Sequence, residues 1–174
     1  MNRPAGRIHV CSLARLHDTV AESGASHIAT LINAATPVER PGHIAAGNHL
    51  FLGFNDITEP MDGMTAPGEE HVAALLDFVR GWDREAPMVV HCWAGISRST
   101  AAAFIAVSAL NPQRDVAELA RTVRALSPSA TPNARLVALA DDMLSRGGTM
   151  VDAVRAIGRG AFAAEGDPFF LTLD

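Results

Sequence analysis

Val89 to Thr100 reads VVHCWAGISRST, and the way this stretch folds decides the rest of the chain. The continuous apolar run Met88 to Val90 has the β-branched content of a buried central strand. Cys92 closes that strand. Trp93 to Ser97 contain Ala, Gly and Ser and read as a tight turn, and Ser99 to Leu110 (STAAAFIAVSAL) is apolar on every side. A helix with no polar face has to lie buried in the middle of a fold. Strand, turn and buried helix in this order form the repeating unit of an α/β sandwich. In such sheets the carboxyl end of a strand is where ligands bind, and Cys92 stands there.

Outward from that unit the same alternation continues. Arg7–Leu13 (RIHVCSL), His27–Asn33 (HIATLIN) and His49–Phe54 (HLFLGF) read as three further strands. Ala14–Gly24 reads as a helix stopped by Gly24. Glu69–Trp82 carries Val72, Leu75, Leu76, Val79 and Trp82 at helical spacing. After the buried helix, Arg114–Leu126, Pro132–Leu144 and Met150–Ile157 read as helices, with Pro132 expected in a first turn, where its missing N–H costs nothing. Asn55–Gly68 (NDITEPMDGMTAPG) is expected to be a long loop, and such loops in compact domains are often functional. The expected fold is α/β: a central, mainly parallel sheet of four to five strands flanked by helices, with the turn after Cys92 joining the last core strand to the buried helix. One domain is expected over 1–174, with a core of about 7–145 and a C-terminal helix and tail over 146–174.

Composition narrows the chemistry. The chain is 48% hydrophobic and 19% charged, with a net charge of −5, which gives no reason to expect nucleic acid or an anionic membrane as a partner. All 14 basic residues are arginine and there is no tyrosine, so a Schiff-base lysine, a P-loop lysine and a tyrosine nucleophile are excluded. No window is apolar enough to span a bilayer and the start reads as free of a signal peptide, so a cytoplasmic location is expected. Two cysteines form no disulfide framework. The alanine-rich, lysine-free composition points to a bacterial source with a GC-rich genome.

The turn after Cys92 has the makings of an anion site. Small residues let the backbone of Trp93, Ala94, Gly95, Ile96 and Ser97 curl so that successive N–H groups converge, with a helix N-terminus behind them. Arg98 adds a planar fork that holds two oxygens of a tetrahedral anion. Such surroundings favour thiolate over thiol, and a thiolate at the bottom of an oxyanion cradle can attack the phosphorus of a bound phosphate ester.

VVHCWAGISRST resembles the signature loop of the cysteine-dependent protein phosphatases, and its AGISRS portion is closest to the dual-specificity branch. The resemblance extends over about Ile8 to Leu144, through VCSLARL, GASHIATLIN, the Asn-Asp pair before a long helix, and SPSATPNARLVALAD. It implies a phosphatase that uses neither metal nor cofactor, acting through a phosphocysteine on Cys92 with Arg98 binding phosphate. It also implies Asp56, 36 positions before Cys92 and directly after a strand, as general acid. Asp62 and then Glu59 in the same loop are the alternatives. The resemblance further implies that Ser99 hydrogen-bonds the sulfur and that Asn133 braces the loop from behind. His91, alternating with Cys92 along the strand, is read as bonding loop carbonyls.

Trp93 is expected on the rim, and Cys11 is expected to be buried and inert, a redox partnership with Cys92 requiring adjacent strand ends. The remaining histidines show no metal-ligand spacing. The expected substrate is phosphotyrosine or a related phosphoprotein, since the uncharged loop disfavours polyanions. The alternatives are a small phosphate ester on the same chemistry, a sulfurtransferase or arsenate reductase, and a non-catalytic phosphopeptide-binding module. Oligomeric state leaves no mark in the sequence.

Overall fold

Four parallel strands and one antiparallel edge strand build the sheet of the computed structural model, which describes residues 6–174. Of the N-terminal start, residues 1–5 lie outside the described ones. In chain order the elements are β1 (Arg7–Ser12), α1 (Leu16–Ser23), β2 (His27–Ile32), β3 (His49–Gly53), α2 (Glu69–Gly81) and β4 (Met88–Cys92). There follow α3 (Arg98–Leu110), α4 (Val116–Leu126), α5 (Ala134–Met143), α6 (Thr149–Ile157) and β5 (Phe169–Thr172).

The strand order is β3-β2-β4-β1-β5. β4 is therefore central, as its continuous apolar run requires, and all five of its residues are buried. Ser12 lies opposite Cys92 and Cys11 opposite His91 in the β1–β4 register. Because strand side chains alternate, Cys11 shares a face with His91 and not with Cys92. On that face Cys11 packs with Leu16 and Val20 of α1 and with Ile28 and Val89. The other face carries α3, whose Ala101, Ala102, Ala103 and Ala106 are fully buried and let the helix lie close to the sheet. Helices α2, α4 and α5 pack around α3, so its apolar surface is covered from every side.

Two helix starts differ from expectation. Pro132 is not in the first turn of α5, because Asn133 is the N-cap and its side chain accepts from the Arg135 and Leu136 amides. Helix α4 starts at Val116, after Asp115 caps it by accepting from Ala117 and Glu118. The loop after Cys92 follows the last parallel strand, and β5, from the segment set apart as a tail, comes later. Its register on β1 buries Phe169 and Leu171 while Phe170 and Thr172 face outward. Four alternating residues are a short signal, and much of the strand's fit comes from its partner: Arg7 lies 4.5 Å above the Phe170 ring, whose centroid is 5.1 Å from that of His9. Among the described residues no helix is long and apolar enough to cross a membrane.

Candidate active site

The loop between β4 and α3 is held from three sides. Gly95 has φ +73, and a Cβ there would lie 2.9 Å from the carbonyl carbon of Cys11 and from the amide nitrogen of Ser12. Only glycine lets the loop turn this tightly against the end of β1. Leu13 N–H donates to Trp93 O at 3.1 Å, Thr131 N–H to Ile96 O at 2.9 Å, and Asn133 N–H to Ser97 O at 3.1 Å. With its carbonyls tied back, the loop keeps amides to spare. Those of Ala94, Ile96 and Ser97 donate to no protein acceptor among the described residues, which is the arrangement an anion-binding nest needs.

Cys92 sits at the bottom, 2% exposed. Its Sγ accepts from the Gly95 amide at 3.3 Å and lies 3.1 Å from Ser99 Oγ. Arg98 is buried at 6% exposure, and its Nη1 donates to Asn33 Oδ1 at 2.7 Å and to Phe54 O at 2.8 Å. Two acceptors at the ends of β2 and β3 thus fix the guanidinium plane, while its Nε meets no acceptor among the described residues. No carboxylate pairs with Arg98 there either. A buried, unpaired guanidinium is a strong site for an incoming anion.

His91 is buried, and burial pushes its pKa down to about 4. As a neutral ring its Nδ1, 3.1 Å from Cys92 O, must carry the proton and donate to that carbonyl. Its Nε2 then accepts from Thr30 Oγ1 at 2.7 Å, and Thr30 in turn accepts from His49 Nε2 at 2.7 Å. Two histidines that look scattered in sequence are joined through one hydroxyl, because β2 lies between β3 and β4.

The loop Asn55–Gly68 brings Asp56 to this site. Asn55 closes its stem, donating from its amide to Thr65 O at 2.8 Å and accepting from the Thr65 amide at 2.9 Å. Asp56 Oδ1 accepts from Ser97 Oγ at 2.8 Å and from Asn133 Nδ2 at 2.9 Å. Asn133 also donates to Ile57 O at 3.2 Å, so its side chain holds the Asp56 loop, while only its backbone braces the signature loop. Neither bond engages Oδ2. Asp62 and Glu59 are exposed and line no cavity with the thiol loop.

A cleft of about 410 Å³ opens between these parts, walled by Ile32, Ile57, Met64 and Trp93 with Asn33, Asp56 and Arg98 at its polar end. Trp93 is 63% exposed and forms the rim. Cys11, by contrast, is buried at 1% exposure with its pKa raised to about 12, chiefly by desolvation. Ser12, across the register from Cys92, donates from its Oγ to Glu165 Oε1 in the C-terminal segment. The sequence offered no signal for this contact or for the roles of Asn33 and Thr30.

The family model described as "Tc-R-P: Polymorphic toxin system, DSP-PTPase phosphatase" matches residues 11–110. The chain belongs to this phosphatase family. No curated protein matches it. Similar solved structures include the Cydia pomonella PTP-2 phosphatase, with 18% identity, TM-score 0.61, and 80% of this chain and 87% of that one covered. DUSP15 has 18% identity and TM-score 0.61 over 90% of this chain and 93% of its own. The human tyrosine phosphatase-like serine/threonine/tyrosine-interacting protein has 15% identity and TM-score 0.63 over 80% and 92%. These likenesses extend the dual-specificity phosphatase fold over most of the chain.

Proposed function

We propose that this phosphatase hydrolyses phosphate monoesters through a phosphocysteine on Cys92, with phosphotyrosine in a protein as its substrate. The phosphoryl oxygens lie on the amides of residues 93–98 and on the Arg98 guanidinium, and the Cys92 thiolate attacks phosphorus from below. Asp56 carries the proton on Oδ2, since Oδ1 already accepts two hydrogen bonds, and passes it to the departing oxygen. The resulting carboxylate then takes a proton from the water that attacks the phosphoenzyme. Ser99 donates to the leaving sulfur in that second step. His91, through Cys92 O, holds the strand end and the loop in register.

The observation that carries this reading is the meeting of Asp56 with Ser97 of the thiol loop at 2.8 Å, across 41 positions of sequence. A module that only binds phosphopeptides has no use for an acid placed beside a nest with a thiol at its base. Phosphotyrosine suits the cleft, whose indole and aliphatic walls grip an aromatic ring. Purified protein is expected to turn over p-nitrophenyl phosphate in EDTA, Cys92→Ser to abolish turnover while still binding phosphate, and Arg98→Lys to lose about 10²-fold or more. Full activity in Cys92→Ser overturns the mechanism.

A further inference from the structure

A second cavity, about 640 Å³ against about 410 Å³ for the cleft at Arg98, is a groove that also reaches Asp56. Asp56 lines both, so the groove adjoins the cleft at this residue. The groove floor is apolar, made by Ile96, Val137, Val151 and Val154. Arg155 and Arg159 also line it, and Phe162, 98% exposed, stands at the rim. Asp56 is the only carboxylate among the lining residues, against the two guanidiniums. In a chain of net charge −5 this is a local positive patch. Among the described residues these arginines form one ion pair, Arg155 with Asp152 at 3.6 Å, which is largely exposed to solvent and therefore weak.

The groove is a built feature. Its outer wall, residues 158–163, is tied down by Ala161 N–H to Pro128 O at 2.9 Å and by Gly160 N–H to Thr131 Oγ1 at 3.0 Å. Arg124 clamps the carbonyls of Ile157 and Gly158 at 2.8 and 2.7 Å. A Cβ at Gly160 would lie 2.6 Å from the Ser129 carbonyl, so only glycine lets the wall come this close. Apart from Asp56, Ile96 and Ser97, every lining residue lies beyond the stretch matched to the family.

We infer that this groove binds the polypeptide beside the phosphorylated residue, taking an apolar side chain on its floor and an acidic side chain on Arg155 and Arg159. The inference rests on the phosphoprotein reading above. The apolar floor next to the catalytic acid accepts the residue adjoining the phosphotyrosine, and the two guanidiniums select a carboxylate one or two positions further on. The segment from α6 to residue 163 is thus a specificity element outside the stretch matched to the family.

The test compares kcat/KM for p-nitrophenyl phosphate with that for two phosphotyrosine peptides, one with Leu and Glu on both sides of the phosphotyrosine and one with Ser and Gln instead. Wild type is expected to prefer the Leu/Glu peptide. Arg155→Ala combined with Arg159→Ala is expected to lower kcat/KM for that peptide about five- to tenfold, to spare the Ser/Gln peptide, and to leave p-nitrophenyl phosphate unchanged. Equal use of both peptides by wild type, or an equal ratio in the double variant, overturns the groove assignment while turnover of p-nitrophenyl phosphate leaves the phosphatase reading intact. Wild type that uses no phosphopeptide but loses turnover of a small bisphosphate in the double variant also overturns it, making the groove a second-anion site for a small ligand. Failure of wild type on p-nitrophenyl phosphate strikes the catalytic reading itself.

Discussion

Cys92 and Cys11 are neighbours on paired strands, yet their side chains leave the sheet on opposite faces and meet opposite environments. Cys92 faces the amide of Gly95, the hydroxyl of Ser99 and the loop that contains Arg98. Cys11 lies among Leu16, Val20 and Ile28 with its pKa pushed up to about 12 by burial. Of the two, Cys92 has a backbone N–H and a hydroxyl within hydrogen-bond reach of its sulfur beside an open nest of amides, and it is the one expected to react. Iodoacetamide is therefore expected to label Cys92 in the folded protein and to leave Cys11 unlabelled, with inorganic phosphate slowing the labelling. Peptide mapping by mass spectrometry reads both. Equal labelling of the two thiols, indifferent to phosphate, contradicts an anion site at Cys92. Arg98 shows what the sequence left unsaid at this scale. Its presence six places after Cys92 is legible, but the acceptors that aim it, Asn33 Oδ1 and Phe54 O, come from two other strands. No local pattern marks an asparagine at a strand end as such a partner.

At the scale of elements, the thiol loop and the Asp56 loop are joined by Ser97 and Asn133, and the proposed mechanism gives each a different part of one reaction. An acid matters only as much as the leaving group needs its proton. Asp56→Asn is expected to cost little with p-nitrophenyl phosphate and about 10² to 10⁴ in rate with an alkyl phosphate or phosphotyrosine. Asp62→Asn, in an exposed side chain of the same loop that lines no cavity with the thiol loop, is expected to behave as wild type with both. Measuring kcat/KM across aryl phosphates of graded leaving-group pKa separates them. A steepened dependence in Asp62→Asn alone transfers the role to Asp62. The strands, the thiol loop and the buried helix were legible because their signals are local: an apolar run, small turn residues, a helix without a polar face. Asn133 was legible as a position and only partly as a role. Its side chain serves the acid loop, a contact that exists only once α5 is packed beside that loop.

Across the whole molecule, β5 and the segment before it close the sheet edge on β1 and wrap behind the signature loop, with Gly166 N–H donating to Ala94 O at 2.8 Å. That arrangement was not legible, because an alternation of four residues carries little weight until β1 offers an edge to pair with. Burial of histidine is the other property of the whole fold. His91 has its pKa lowered from 6.5 to about 4 by desolvation, and burial lowers those of His9, His27 and His49 too. Between about pH 6.5 and 4 the unfolded chain binds protons that the folded chain refuses, so stability is present above pH 6.5 and falls as the pH drops through this window. For His91 alone the loss approaches about 3 kcal/mol. Urea denaturation across that range is expected to show the fall, and His91→Asn, though less stable at pH 7, to show a shallower one. An unchanged slope in the variant contradicts a neutral, buried His91.

The central claim is the covalent intermediate, and trapping it is the most direct measurement. Ser99→Ala removes the hydroxyl 3.1 Å from Cys92 Sγ and is expected to slow release of the sulfur about 10- to 100-fold, so that the phosphoenzyme accumulates. Wild type and Ser99→Ala are mixed with a phosphotyrosine peptide in EDTA, quenched within milliseconds to seconds, and mapped by mass spectrometry. The account predicts one phosphate on the peptide containing Cys92, enriched in Ser99→Ala and absent from Cys92→Ser. Phosphate on another residue, or turnover that persists in Cys92→Ser, contradicts it.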